Sequence, residues 1–175
     1  YTKSKSYLEA TNNVKVYDQV NKLLINSNKI IYFINEKKII SKGSSKTTIE
    51  NNYNLYAQDL TYNQKKNILF SNNSAKLIDS FDNTLKVDQF KLNTLDKVLN
   101  AEKINYISNT NETYQVEKGI FDLNNKSIIG KDVFAQLSSN NTKNDPRIKG
   151  RGIMHEKDGT IIYNGVFTNC KKRSD

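Results

Sequence analysis

The chain has 175 residues, of which 36% are hydrophobic and 26% are charged, and its formal net charge is +9. This length suits one domain with a substantial core. A chain with one Pro and seven Gly is neither collagen-like nor a flexible linker. No stretch approaches the roughly 18 apolar residues that a membrane-spanning helix needs.

The positive charge raises the question of a nucleic-acid partner, because basic patches bind phosphates. Only three of the 27 basic residues are Arg, and the Lys residues are spread over every turn instead of being gathered on one segment. Lys and Asn are abundant together, which is expected of an A/T-rich coding sequence. We therefore interpret the charge as an effect of composition and expect no nucleic-acid partner.

The chain opens with the polar residues 1–7, which are expected to be frayed. From Leu8 onward the apolar residues follow period two, as at Val14 and Val16 on either side of Lys15. Strict alternation predicts half-buried strands that have one face in solvent. Helix signals are nearly absent, because no amphipathic stripe is long enough. We expect one all-β domain over residues 8–170.

The alternating runs recur every thirty residues. One column of apolar residues is Ile30, Leu60, Phe90 and Ile120. A second column, two places on, holds Tyr32, Tyr62 and Leu92 and then meets Asp122. The apolar Leu123 follows one place later, which indicates a one-residue insertion in the last unit. A period of this size is typical of stacked architectures whose units cannot bury their apolar faces alone.

Clusters of Asn, Asp, Lys and Ser separate the runs. They lie at Asn35–Lys37, Asn63–Lys66, Asn93–Asp96 and Asn124–Lys126. Asn and Asp tolerate positive φ, so each cluster predicts a hairpin turn. Ser138–Arg147 has no large apolar side chain and predicts an exposed loop, after which residues 148–155 and 160–167 predict a final hairpin. The total is about fourteen strands.

Two architectures fit such a strand repeat. One is a solenoid with one coil per unit, and the other is a pair of long facing sheets between which consecutive strands zigzag. Periodicity alone does not separate them. Solenoid coils usually carry Gly or other small residues at their corners, and most turns of this chain lack Gly. We therefore favour two facing antiparallel sheets.

Residues for catalysis or metal binding are scarce. The only His is His155, which lies in a strand-like run and has no second His for nucleophilic or general-base work. No His/Cys cluster has the spacing of metal ligands. The glycines of Gly150–Gly152 lack the spacing and the following helix of a phosphate-binding loop. We expect no enzymatic activity, no metal site and no cofactor.

The repeated apolar columns are either a packed core or the lining of a lipid cleft. Burial of a methylene group is worth about 0.8 kcal/mol, so an acyl chain of a dozen carbons gains on the order of 10 kcal/mol on leaving water. The candidate lining residues are Ile30, Tyr32, Leu60, Tyr62, Phe90, Leu92 and Ile120. The residues alone leave both alternatives open.

The C-terminal segment Gly159–Cys170 contains a Gly-x-Phe-Thr-x-Cys stretch, and the Gly-Arg-Gly of Lys149–Gly152 precedes it. This segment resembles the end of the periplasmic domain of the outer-membrane lipopolysaccharide-assembly family LptD, where such a stretch leads towards a β-barrel. The pattern apolar-x-Ala-x-x-apolar-x-Tyr at Leu55–Tyr62 resembles the OstA-type repeat that this family shares with soluble bridge proteins. The resemblance covers nearly the whole chain from Leu8.

The resemblance implies an OstA-type β-jellyroll of two facing, V-shaped antiparallel sheets at the periplasmic face of the outer membrane. Such a domain receives lipopolysaccharide from a periplasmic bridge protein of the same fold. It passes the lipid to its own C-terminal β-barrel, which holds a plug lipoprotein. The N-terminal edge strand at Val14 and Val16 is then the expected docking edge for the bridge protein. Residues 171–175 begin the connection to the barrel.

Cys170 is the only cysteine, and its neighbours Asn169 and Lys171 suit an exposed thiol that pairs outside the domain. The resemblance implies a disulfide with a cysteine of the barrel. Two other interpretations stay open: a soluble lipopolysaccharide bridge protein of the same repeat family, and a structural or adhesive β-solenoid with a dry core.

Overall fold

The computed structural model describes residues 6–137 and 146–169. Strands take up 71% of these residues and helix 0%, which confirms the all-β prediction. The fifteen strands are β1 (Tyr7–Asp18), β2 (Leu23–Phe33), β3 (Lys38–Ile49), β4 (Tyr53–Gln58), β5 (Thr61–Asn63), β6 (Ile68–Ser71), β7 (Ala75–Asp79), β8 (Thr84–Val87), β9 (Gln89–Asn93), β10 (Val98–Ile107), β11 (Thr113–Asp122), β12 (Ser127–Gln136), β13 (Arg147–Glu156), β14 (Gly159–Tyr163) and β15 (Val166–Thr168).

The strands form one antiparallel meander. We call each long strand, or each pair of short strands that continue one another, a leg, and the meander has eleven legs. Four of the legs are divided into two strands each: β4 with β5, β6 with β7, β8 with β9, and β14 with β15. The two parts of a divided leg pair with the same neighbour. For example, β3 pairs with β4 along residues 44–49 and with β5 along residues 38–40. Each leg therefore has two halves.

The halves of the legs belong to two layers. The first layer contains β5, β6 and β9, and the second layer contains β4, β7 and β8. Strands β3 and β10 run through both layers, so the eight strands from β3 to β10 close a barrel-like circuit of pairings. The remaining long legs extend this circuit on both sides.

Residues with positive φ bend the legs where they pass between the layers. Asp59, between β4 and β5, has a φ of 48°, and Gly43 of β3 has a φ of 78°. The Asp59 N–H donates to Gly43 O at 3.1 Å, and the Gly43 N–H donates to the Asp59 carboxylate at 3.1 Å. Such an extra residue turns a strand and shifts its alternation by one place. Ala57 and Leu60 therefore both point into the core, although they are three places apart.

The two rows of turns at the ends of the legs lie against each other. Three contacts join them: Asn21 with Asn67 at 3.2 Å, Glu50 with Lys97 at 2.6 Å, and Asp79 with Lys126 at 3.7 Å. Each contact links positions about one and a half repeats apart. The first layer is thus folded over the second, and the apolar faces of both layers lie between them.

The turns of the first layer stack with the predicted period. The Gln64 N–H donates to Lys37 O at 2.9 Å, and the Thr94 N–H donates to Asn67 O at 2.8 Å. The four turns of this row begin at residues 34, 64, 94 and 123. The last interval is one residue shorter than the others, so the predicted insertion in the last unit is wrong. That unit has lost a residue instead of gaining one.

Alternate residues of each leg reach a core that lies between the layers. Leu23, Leu69, Leu92 and Ile128 are completely buried. The side chains between them on the same strands are mostly polar or partly exposed. The predicted period-two pattern is therefore confirmed along the legs. Its phase shifts between β4 and β5 and at the bends of β10 and β12, but not at the bends of β1 and β3.

Three segments lie outside the described residues. They are residues 1–5 of the predicted frayed end, residues 138–145 of the predicted loop, and residues 170–175 with Cys170. Tyr7 is not frayed, because it begins β1 and pairs with Phe33. The predicted final hairpin is confirmed, since β13 pairs with both β14 and β15.

Candidate functional site

Most of the predicted lining residues lie in the closed core. The exposed fractions are 3% for Ile30, 1% for Leu60, 1% for Tyr62, 4% for Phe90 and 0% for Leu92. Tyr32 is only partly buried and packs against the edge of this core. The centre of the molecule is thus packed, and open apolar surface has to be sought at its ends.

Ile120 was expected in the lining, and this placement is wrong. Its side chain is 43% exposed and lies on the outer face of β11. Because the last unit is one residue shorter, the inward positions of this strand pass to Gly119 and Phe121. Phe121 is 5% exposed and takes the place that Tyr32 and Tyr62 hold in earlier units.

An apolar groove lies at the N-terminal end of the molecule, where the last strand of the sheet is β1. Its volume is about 380 Å³, within the range of about 300–1,000 Å³ that is usual for ligand clefts. The groove is lined by Leu8, Ala10, Val14, Val16, Ile30, Tyr32, Ile39 and Gln64. We call this the N-terminal groove.

Strand β1 forms one wall of the N-terminal groove because it is bent like the other legs. Asn12 and Asn13 have φ values of 70° and 58°, and the register shifts between Thr11 and Val14. This shift keeps the apolar residues on both sides of the bend on the inner face. Among the described residues β1 pairs only with β2, so its other edge presents backbone N–H and C=O groups without a strand partner.

The groove brings together four residues that the sequence had singled out for two different roles. Ile30 and Tyr32 were expected in the lining, and Val14 and Val16 were expected at a docking edge. The structure places all four around one opening. The predicted edge and part of the predicted lining are therefore one site.

Sequence reasoning missed Leu8, Ala10 and Ile39 as members of this site. Leu8 is 62% exposed even though it faces the groove. The signal was present, because Leu8 and Ala10 alternate with Glu9 and continue the pattern of Val14 and Val16. The polar Asn12 occupies the position between Ala10 and Val14 in the same alternation, and it interrupted the apolar run.

Near the N-terminal end of the molecule, the side chain of Tyr62 holds the first turn of the chain in place by hydrogen bonds. Its hydroxyl donates to the Asp18 carboxylate at 2.6 Å and accepts from Asn21 Nδ2 at 2.9 Å. Burial works against the charged form of Asp18, but hydrogen bonds from Tyr62 and Asn21 outweigh it, so the pKa of Asp18 is lowered. Burial and the bond to Asp18 raise the pKa of the Tyr62 hydroxyl. This phenol therefore stays a neutral donor.

A second opening lies at the C-terminal end. Its volume is about 640 Å³, and its apolar wall includes Tyr114, Ile148, Ile162 and Phe167. Val166 and Phe167 of β15 are 73% and 59% exposed. Cys170 follows this strand in sequence but lies outside the described residues. Both ends of the core are thus without a covering element among the described residues.

His155 lies in the wall of the C-terminal opening. Its ring is 4.8 Å from the ring of Tyr114, and its Nδ1 is 2.7 Å from Thr160 Oγ1. Burial lowers the pKa of His155, and the charge of Glu112 opposes this only partly. The imidazole is therefore packed as a neutral aromatic group beside a hydroxyl.

The described residues contain no cluster of three His, Cys, Asp or Glu side chains that could hold a metal ion. Within the same ranges, no helix is long and apolar enough to cross a membrane. Compared with known proteins, the sequence matches no protein-family model and no curated protein at a significant level, so the functional argument rests on the fold and on the geometry of its two ends.

Proposed function

We propose that the chain is a periplasmic lipid-conduit domain of an outer-membrane lipopolysaccharide-assembly protein. Its layers would form the V-shaped OstA-type jellyroll, and its C-terminal end would face a β-barrel. The observation that carries the proposal is the N-terminal groove, an apolar opening that lies directly beside an unpaired strand edge.

The groove suits the end of an acyl chain better than a polar ligand. Seven of its eight lining side chains are apolar or aromatic, and Gln64 is the exception. Each methylene that leaves water for such a surface gains about 0.8 kcal/mol. The groove extends from the exposed Leu8 to Ile30 and Ile39, which belong to the buried core.

The free edge of β1 supplies the means of delivery. An extended strand from another protein can add to such an edge through backbone hydrogen bonds. A partner of the same fold, docked in this way, would continue the sheet and place its own apolar interior against the N-terminal groove. Lipid would then pass between the two proteins without crossing water.

One observation favours the second candidate, a structural β-solenoid with a dry core. The central residues Leu60, Phe90 and Leu92 are at most 4% exposed, so no channel runs through the described part of the molecule. In the conduit proposal the layers separate when a lipid-loaded partner docks. In the solenoid alternative they never do, and no acyl chain enters the groove.

Photo-crosslinking to lipopolysaccharide separates the two candidates. A benzoylphenylalanine at Val16 lies in the groove wall, whereas one at Tyr17, which is 62% exposed, lies on the opposite face of the same strand. We expect a lipid adduct from position 16 and little from position 17. Equal adducts, or none from position 16, would contradict the conduit and leave the dry-core solenoid.

A further inference from the structure

The outer face of the second layer carries a row of aligned lysines that the sequence had shown only as scattered. Lys46 pairs with Tyr56, Tyr56 with Lys76, Lys76 with Lys86, and Lys86 with Asn105. Neighbouring strands lie about 4.8 Å apart. Three cations and one tyrosine ring therefore line up across four strands, and Asn105 continues the row on a fifth.

The lysines of this row have no counter-charge in the part of the chain that the structure describes. Within residues 6–137 and 146–169, no carboxylate lies within 4.0 Å of Lys46, Lys76 or Lys86. Lys76 and Lys86 face each other directly, and like charges in such a pair destabilise a sheet. The nearest acid in the wall, Asp88, is already engaged by Lys103 at 3.0 Å. An anionic ligand would relieve this repulsion.

The row lies in a concavity with a volume of about 1,000 Å³. Besides the lysines, its wall contains hydroxyl and amide side chains, among them Ser44, Gln58, Asn73 and Ser74, together with the apolar Ala57, Ala75 and Val87. We call this concavity the lysine groove. It is a trough with polar and apolar groups in its wall, and it is separate from the N-terminal groove.

Two details of the lysine groove point to the kind of ligand. The Tyr56 ring is 40% exposed in its wall, and Lys46 Nζ lies 5.7 Å from the ring centre. The wall beside it carries exposed hydroxyl and amide side chains, among them Asn73 and Ser74. A sugar ring can pack its C–H face on the tyrosine and exchange hydrogen bonds with these groups, whereas a bare anion has no ring face to pack.

We propose that the lysine groove binds an acidic oligosaccharide, a chain of sugar rings that carries carboxylate or phosphate groups. The lysines would pair with its anionic groups, Tyr56 would pack against a ring, and the Ser and Asn side chains would bond its hydroxyls. A flat anionic membrane does not fit a trough. A single-stranded nucleic acid would need more than one stacking platform. This site stands apart from the proposed lipid conduit.

Titration calorimetry with hexagalacturonate tests the proposal. We compare the parent chain with a Lys76→Gln/Lys86→Gln variant and with a control, Lys91→Gln/Lys157→Gln, that has the same net charge but exposed lysines outside the groove. We expect a loss of affinity of about tenfold or more in the first variant, since two charge-assisted contacts are removed, and less than about twofold in the control.

Two further arms fix the chemistry of the ligand. Tyr56→Ser should weaken hexagalacturonate binding although it changes no charge, and neutral maltohexaose should bind far more weakly than the acidic chain. Equal losses in the two lysine variants would overturn the proposal, because binding would then follow net charge alone. Equal or tighter binding of a dT12 oligonucleotide or of anionic phospholipid vesicles would overturn it too.

Discussion

A single residue, Tyr62, holds two turns of the chain together near the N-terminal end of the molecule. It lies on β5, yet its hydroxyl bonds Asp18, the last residue of β1, and Asn21 of the turn that follows. Asn21 also donates to Asn67. One phenol thus holds the first turn of the second layer against a turn of the first layer.

Removal of this hydroxyl should weaken the fold without emptying the core. Tyr62→Phe deprives Asp18 of a donor and Asn21 of an acceptor, so we expect a loss of about 1–3 kcal/mol in the free energy of unfolding. Tyr17→Phe is the control, because Tyr17 is 62% exposed, and its effect should stay within about 0.5 kcal/mol. Urea titrations that gave the same value for both variants would contradict the anchoring role.

His155 should make stability depend on pH in a defined window. Burial holds its pKa below the ordinary value of 6.5, so the unfolded chain binds a proton more readily than the folded one. Its contribution is fully present above pH 6.5 and is lost as the pH falls towards the folded pKa. In urea titrations between pH 7 and about 5, where carboxylates hardly titrate, the parent chain should lose stability and His155→Gln much less. Parallel slopes would contradict this assignment.

At the scale of the strands, the turns between legs could be predicted from the sequence, whereas bends inside the legs could not. The turn rows followed from Asn and Asp clusters, because these residues favour positive φ and cap turns. The bends inside the undivided legs β10 and β12 carry Lys103 and Asp132, with φ values of 48° and 55°. Nothing in the side chain of a lysine predicts a left-handed backbone, so the bend of β10 could not be foreseen.

The same limit explains the misplaced Ile120. A column drawn at a constant period fails once a unit loses one residue, because a strand changes faces with every single step. Leu123 showed that a shift existed but not its direction. The sequence did not reveal the lysine row for a different reason. Lys46 and Lys76 keep the thirty-residue period, but Lys86 is brought beside Lys76 only by strand pairing.

We expect the bend of β3 to require glycine at position 43 because of its backbone conformation and not because space is limited there. A methyl group on Gly43 would meet nothing within 4 Å, but its φ is 78°. Gly43→Ala should therefore destabilise the chain by about 1–2 kcal/mol, the usual penalty for a left-handed L-residue. Gly159 is the matched control, because it also has open space around it but no positive φ. Thermal unfolding with equal midpoints for both alanine variants would show that the bend is unstrained.

The whole molecule is a stacked array whose two ends are uncovered among the described residues. Repeat proteins usually need polar capping units at their ends for solubility. This chain instead has an apolar groove at one end and the exposed Val166 and Phe167 at the other. An array with open ends is suited to being one segment of a longer assembly, and this property agrees with the conduit proposal.

The most direct test of the conduit is to locate a bound acyl chain by nuclear Overhauser effects. In a methyl-labelled sample with dodecanoate below its micelle concentration, transfer should reach the methyl groups of Val14, Val16 and Ile30 in the groove. It should not reach Ile31, the neighbour of Ile30 on the outer face of β2, or the exposed Ile129 of β12. Transfer confined to Ile129 and similar outer residues, or no transfer at all, would contradict the account.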